Sequence, residues 1–169
     1  MNGSLMADAL AHHVWATLRV MDACSALPPE QMETSVPGTY GSILDTMRHI
    51  VGADSSYLFV TTGGRVSLID EDRMRLPELR AAMEGYGRAW SELLKQDLDP
   101  DTVLVRHRDD GSETHGPFGI RLAQAVHHGT DHRSQICTAL TTLGVEPPAI
   151  DVWDFGVQAG RVVEVPPTS

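Results

Sequence analysis

Three histidines fall within six positions of the segment AVHHGTDHRSQI, at 127, 128 and 132. His128 and His132 are four apart, a spacing that stacks two side chains on one face of a helix with Cβ atoms about 5–6 Å apart. Two imidazoles so placed can address one ion through nitrogen–metal bonds of about 2.0–2.1 Å. A helix that buries imidazoles against a carboxylate or a backbone carbonyl has the same spelling, because an unpaired polar ring among apolar side chains is costly. A metal site needs a third ligand, and spacing alone leaves several: His12, His13, His49, His107 and His115, besides carboxylates. His49 stands beside Asp45, Thr46, Gly52, Ala53 and Ser56, a small and polar face suited either to line a cavity or to meet solvent. One of His12 and His13 is expected to point inward, and His107 and His115 are expected at the surface.

Other chemistry is sparse. Cys24 and Cys137 form no Cys-x-x-Cys pair, which excludes a dithiol or thiolate zinc motif. Cys137 falls on the opposite side of its helix from His128, which argues against a Cys-His nucleophile there. Gly63-Gly64 follows a helix rather than a strand, so no phosphate loop is formed, and neither Gly-x-Ser-x-Gly nor His-Glu-x-x-His occurs. Glu71-Asp72 and Asp109-Asp110 are expected in solvated loops. Trp15, Trp90 and Trp153 are expected in packing roles, and Arg133 and Gln135 in structural ones.

Four segments have helical periodicity. The first, about 5–26, carries Leu10, Val14, Leu18 and Met21 and stops at Leu27-Pro28-Pro29. The second, about 42–60, opens on Ser42 and Asp45, a hydroxyl and an acid for the positive helix end. The third begins near Leu76-Pro77-Glu78 and breaks at Asp97-Leu98-Asp99-Pro100. The fourth runs from Pro117 to Leu143, with Gly144 as its cap and Pro147-Pro148 beyond. On it Phe118, Leu122, Ala125, Ile136 and Leu140 form an apolar stripe, with His128 and His132 within it or at its margin. Before it, TVLVRHR, DDGS and ETH spell a hairpin turning at Asp110-Gly111. The tail from Ala149 has no clear period and is expected to wrap over the bundle. The fold class is therefore an all-α four-helix bundle with a small β-hairpin before the last helix.

The totals agree. The chain has 169 residues, the size of one domain with a real core, and domain 1–169 is the expectation. A formal net charge of −10 and the lack of a basic stripe argue against nucleic acid as the main partner. No apolar run approaches the length of a membrane span, the first residues carry no basic signal-peptide region, and two distant cysteines suit a reducing cytoplasm.

The segments GSILDTMRHIVGADSSYL and HHGTDHRSQICTALTTLGVEPPAIDVWDF, with Trp15 and Leu27-Pro28-Pro29-Glu30, resemble the DinB-like (YfiT-like) family of metalloenzymes over nearly the whole chain. The resemblance implies an up-down-down-up bundle and frequent homodimers. It also implies that His49, His128 and His132 bind one divalent metal. Characterised relatives use a low-molecular-weight thiol, as S-transferases or a maleylpyruvate isomerase. Three imidazoles leave an open coordination position, and zinc or nickel suits nitrogen ligands. A thiol there gives a thiol transferase acting on a small-molecule electrophile, and a water gives a hydrolase. A non-catalytic metal-binding or stress-related module is the alternative from another class. Asp45, one turn before His49, is the candidate to orient it or relay a proton.

Overall fold

The computed structural model describes residues 4–165 and 167. Expectations that touch residues 1–3, 166, 168 and 169 lie outside the described residues. In chain order the elements are α1 (Leu5–Cys24), a single turn α2 (Pro29–Met32), α3 (Ile43–Thr61), a 3-10 turn (Glu71–Arg73), α4 (Leu76–Leu93), β1 (Val103–His107), β2 (Glu113–Pro117), α5 (Phe118–Thr142) and α6 (Val152–Gln158).

Local chemistry sets these limits. Ser4 Oγ accepts from the Ala7 N–H at 3.1 Å and Ser42 Oγ accepts from the Asp45 N–H at 3.1 Å, which caps α1 and α3. At the start of α4 the Glu78 carboxylate accepts from the Arg75 N–H at 2.7 Å, just before Pro77. Helix α1 ends at Cys24, two residues short of the expectation, with Ser25 donating back to Met21 and Asp22. Helix α5 ends at Thr142, two residues before Gly144, whose φ is +73°, the left-handed conformation in which only glycine is unstrained. A Cβ at 144 would meet open space. Gly144→Ala is therefore expected to cost about 1 kcal/mol through backbone strain alone, read as a shift of the urea midpoint with unchanged slope.

The four long helices pack in the ring α1–α4–α3–α5, and particular pairs give their directions. Asp22 late in α1 pairs with Arg80 early in α4, and Val14 packs on Gly87, so these two run antiparallel. Arg48 early in α3 donates to the Met74 carbonyl just before α4, and Ser55 lies beside Tyr86 further along both, so α3 and α4 run parallel. His49 meets His132 while Tyr57 meets His128, so α5 runs opposite to α3. The order is up-down-down-up. Val20, Met21, Met47, Ile50, Leu58, Leu79, Met83, Trp90 and Leu140 are among the buried side chains that fill it. The hairpin pairs Val105 with His115 and His107 with Glu113. Arg121 of α5 donates to the carbonyls of Leu104 and Thr114, one on each strand. No helix among the described residues is long and apolar enough to cross a membrane.

The tail wraps over α1, as expected: His12 Nε2 donates to the Ile150 carbonyl, Arg19 to that of Ala149, Trp15 Nε1 to Gln158, and Arg161 pairs with Asp8. It also forms α6, capped by Asp151, which seven residues were too few to announce by periodicity. The packing role expected of Trp153 does not hold. Helix α6 docks through Phe155 against Trp15 and turns Trp153 outward, 65% exposed.

Candidate metal centre

Ser42 starts α3 so that His49 comes two turns in, facing α5. The unbroken course of α5 from Phe118 places His128 and His132 on the same side, one turn apart. The three rings meet. Their centroids lie 4.4 to 4.8 Å from one another, and one nitrogen from each falls within 4.8 Å of the others. His128 Nε2 and His49 Nε2 are 3.0 Å apart. Two nitrogens bound to one ion in tetrahedral geometry would stand about 3.3 Å apart, so only a small relaxation separates this arrangement from a coordinating one. Three histidines so close could bind a divalent metal.

Two features prepare the rings for that state. The first is charge. Burial pushes His128 down to about 4, helped by the neighbouring His132 and His49, and burial also lowers His49. The neutral imidazole, the form with a free nitrogen lone pair, therefore persists well below the usual histidine range. The second is orientation. Gln135 Oε1 accepts from the Tyr40 backbone N–H at 3.0 Å, which identifies that atom as the amide oxygen. The same oxygen lies 3.0 Å from His132 Nδ1, so Nδ1–H must be the donor and His132 Nε2 is left free. Tyr40 in turn stacks on His49, with centroids 4.0 Å apart and planes within 8°.

A cavity of about 300 Å³ opens on the His49 side, lined by Tyr40, Gly41, Asp45, Arg48, Glu71 and Asp72. Of the small, polar face of α3, Asp45 and His49 line this cavity, whereas Thr46, Gly52 and Ser56 are buried. Asp45 is on its wall, with its carboxylate bonded by Ser42 Oγ at 2.8 Å and Arg48 at 3.4 Å. Of the pair expected in a solvated loop, Asp72 is exposed as expected and Glu71 is not. The 3-10 turn presses against α3, and Glu71 is half-buried over Gly52.

The other histidines are elsewhere. His107 and His115 are exposed and both meet Glu113. His12 and His13 are both buried, and neither joins the three-ring cluster. His13 instead centres a buried network. Its Nε2 is 2.8 Å from Asp54 Oδ2, and its Nδ1 is 2.8 Å from Arg133 Nη1. Arginine only donates, so Nδ1 accepts, Nε2–H donates, and the ring is neutral between a buried acid and a buried base. Arg133 also donates to Thr17 and Thr130. Gly129 makes room for this: a side chain there would overlap the His13 ring. The glycine inside HHGTDH is where α1 docks between the two histidines of α5. Cys24 is pushed up to about 12 by burial and Cys137 is raised for the same reason, so neither offers a thiolate at neutral pH.

Spacing did not disclose Tyr40, Gln135, Glu71 or the Asp54–His13–Arg133 network. Gly52 signals Glu71 and Gly129 signals the network, as glycines inside helices that otherwise have no need of one, and nothing signals Tyr40 or Gln135.

An up-down-down-up bundle with three convergent imidazoles, from the second and fourth long helices, defines a class of helical proteins built around one candidate metal centre. The chain belongs to the DinB family, whose model matches residues 1–161. No curated protein matches the chain.

Proposed function

We propose that the protein is a metal-dependent enzyme that joins a low-molecular-weight thiol to a small electrophile. In this reading His49, His128 and His132 hold one divalent ion, zinc or nickel. The observation that carries it is the convergence of one ring nitrogen from each of three histidines, one of which, His49, lines a polar cavity. Three protein ligands suit a catalytic site with a position left for a substrate, whereas a structural zinc site is closed by four. The bound ion would supply acidity, drawing the thiol proton off near neutral pH.

The protein's own residues do the rest. Gln135 keeps His132 Nε2 free, and Tyr40 covers the outer face of His49. Asp45, on the cavity wall, is the proposed acceptor of the thiol proton. The sulfur electron pair then forms the new carbon–sulfur bond, the bond to the leaving group breaks with its pair, and Asp45 returns the proton to that group. The proposal includes one DinB-like domain over 1–169, a homodimer and a reducing cytoplasmic setting.

Thiol consumption with a panel of electrophiles, wild type against His128→Ala, tests it. A wild-type rate no higher than that of the variant contradicts catalysis and leaves a metal-binding module. Turnover without thiol loss would mean a hydrolase. Gln135→Leu removes the acceptor that sets His132, and metal affinity is expected to fall about 10–100-fold, measured by competition with a chromophoric chelator.

A further inference from the structure

Among the described residues, the cavity beside His49 has one half-buried charge with no protein partner. Arg48 donates Nε to the Met74 carbonyl at 3.0 Å and reaches Asp45 at 3.4 Å, and Asp45 is also bonded by Ser42. Arg48 is the one cation among the lining residues. The carboxylates of Glu71 and Asp72 make no hydrogen bond or ion pair among the described residues. Asp72 is exposed and its charge is solvated, whereas Glu71 is half-buried.

Steric fit, not pairing, holds Glu71. Gly52 follows His49 by three positions, so both lie on one face of α3. A methyl group at 52 would overlap the Glu71 carboxyl group, and Glu71 Cγ is only 2.9 Å from where that methyl would be. A glycine inside a helix costs about 1 kcal/mol relative to alanine, and here it admits a carboxylate one turn from a candidate ligand. Glu71 is near enough for its charge to act against the downward shift of His49. An acceptor seated at the wall of a cavity, with no internal donor, is placed for a donor that arrives with the substrate.

We propose that Glu71 positions the thiol substrate, accepting a hydrogen bond from an ammonium group on the molecule that enters beside His49. This rests on the metal-dependent thiol reading given above. The cavity then selects small thiols that carry a positive group over those that carry a carboxylate, which would face Asp45, Glu71 and Asp72 with Arg48 already engaged.

Cobalt(II)-loaded protein, titrated with cysteamine and with 3-mercaptopropionate and followed by the visible cobalt spectrum, tests this. The two thiols differ in intrinsic acidity, so the readout is the ratio of their affinities in wild type divided by that ratio in Glu71→Gln. Loss of a charged acceptor is expected to reduce the cysteamine preference by about tenfold, with cobalt uptake unchanged. Gly52→Ala, which keeps the carboxylate but displaces it, is expected to lower the preference in the same direction. An unchanged preference in Glu71→Gln overturns the proposal, as does loss of cobalt from that variant, which would make Glu71 part of the metal site instead. Wild-type protein that takes up no cobalt overturns the metal reading itself, a failure distinct from the other two.

Discussion

Asp54→Ala is expected to lower the free energy of unfolding by about 3–5 kcal/mol, the range for leaving a buried charge without its compensating partner. Asp54 and Arg133 are each 1% exposed, and the neutral ring of His13 bridges them. Without the carboxylate, His13 Nε2–H loses its acceptor and the Arg133 charge stays buried with only neutral partners. Burial already pulls Arg133 down to about 10, with Asp54 as the chief influence in the other direction. Urea unfolding measures the effect. Asp54→Asn, which keeps an acceptor for His13, is expected to lose clearly less. A midpoint for Asp54→Ala equal to that of wild type would show that the network contributes nothing. The consequence reaches the candidate centre, because the network ties α1 to α3 five residues after His49 and to α5 one residue after His132. It links, through His13 of α1, the two helices that carry the three rings.

The architecture was legible because it is written locally. Apolar spacing, Ser42, the proline after Leu27 and Gly144 each act within a few residues, and all appear where they were read. The helix directions and the histidine trio entered through resemblance, and the geometry brings the three rings together. What spacing could not reveal depends on contacts between distant segments. Tyr40 lies in a loop, outside any periodic pattern, and touches His49 only because α5 presents Gln135 to its backbone. Glu71 looked solvated because acidic pairs in loops usually are, and only the empty face of Gly52 draws it inward. Asp54, His13 and Arg133 come from three helices, and each alone resembles an ordinary polar residue on an amphipathic surface. Trp153 misled in the other direction. Large aromatic residues are usually buried, but α6 is short and docks through its opposite side.

His128→Ala is the other large expected effect. Its Nε2 stands 3.0 Å from that of His49, and burial pushes its ring down to about 4, which favours the neutral form. Apparent binding energies for structural zinc of about 10–16 kcal/mol are shared among four ligands, so one of three imidazoles is worth about 3 kcal/mol or more, over a hundredfold in affinity. The fold should survive, since the ring is only half-buried and, among the described residues, its one ring-nitrogen partner is another ring of the cluster. An unfolding midpoint close to that of metal-free wild type would separate loss of a ligand from loss of structure.

The most direct measurement is the metal content of purified protein after equilibration with zinc or nickel and removal of the free ion, for wild type and for His49→Ala, His128→Ala and His132→Ala. One ion per wild-type chain and little in any variant is the predicted result. Wild type and the three variants holding equally little, or equally much, would contradict a shared centre at these three rings.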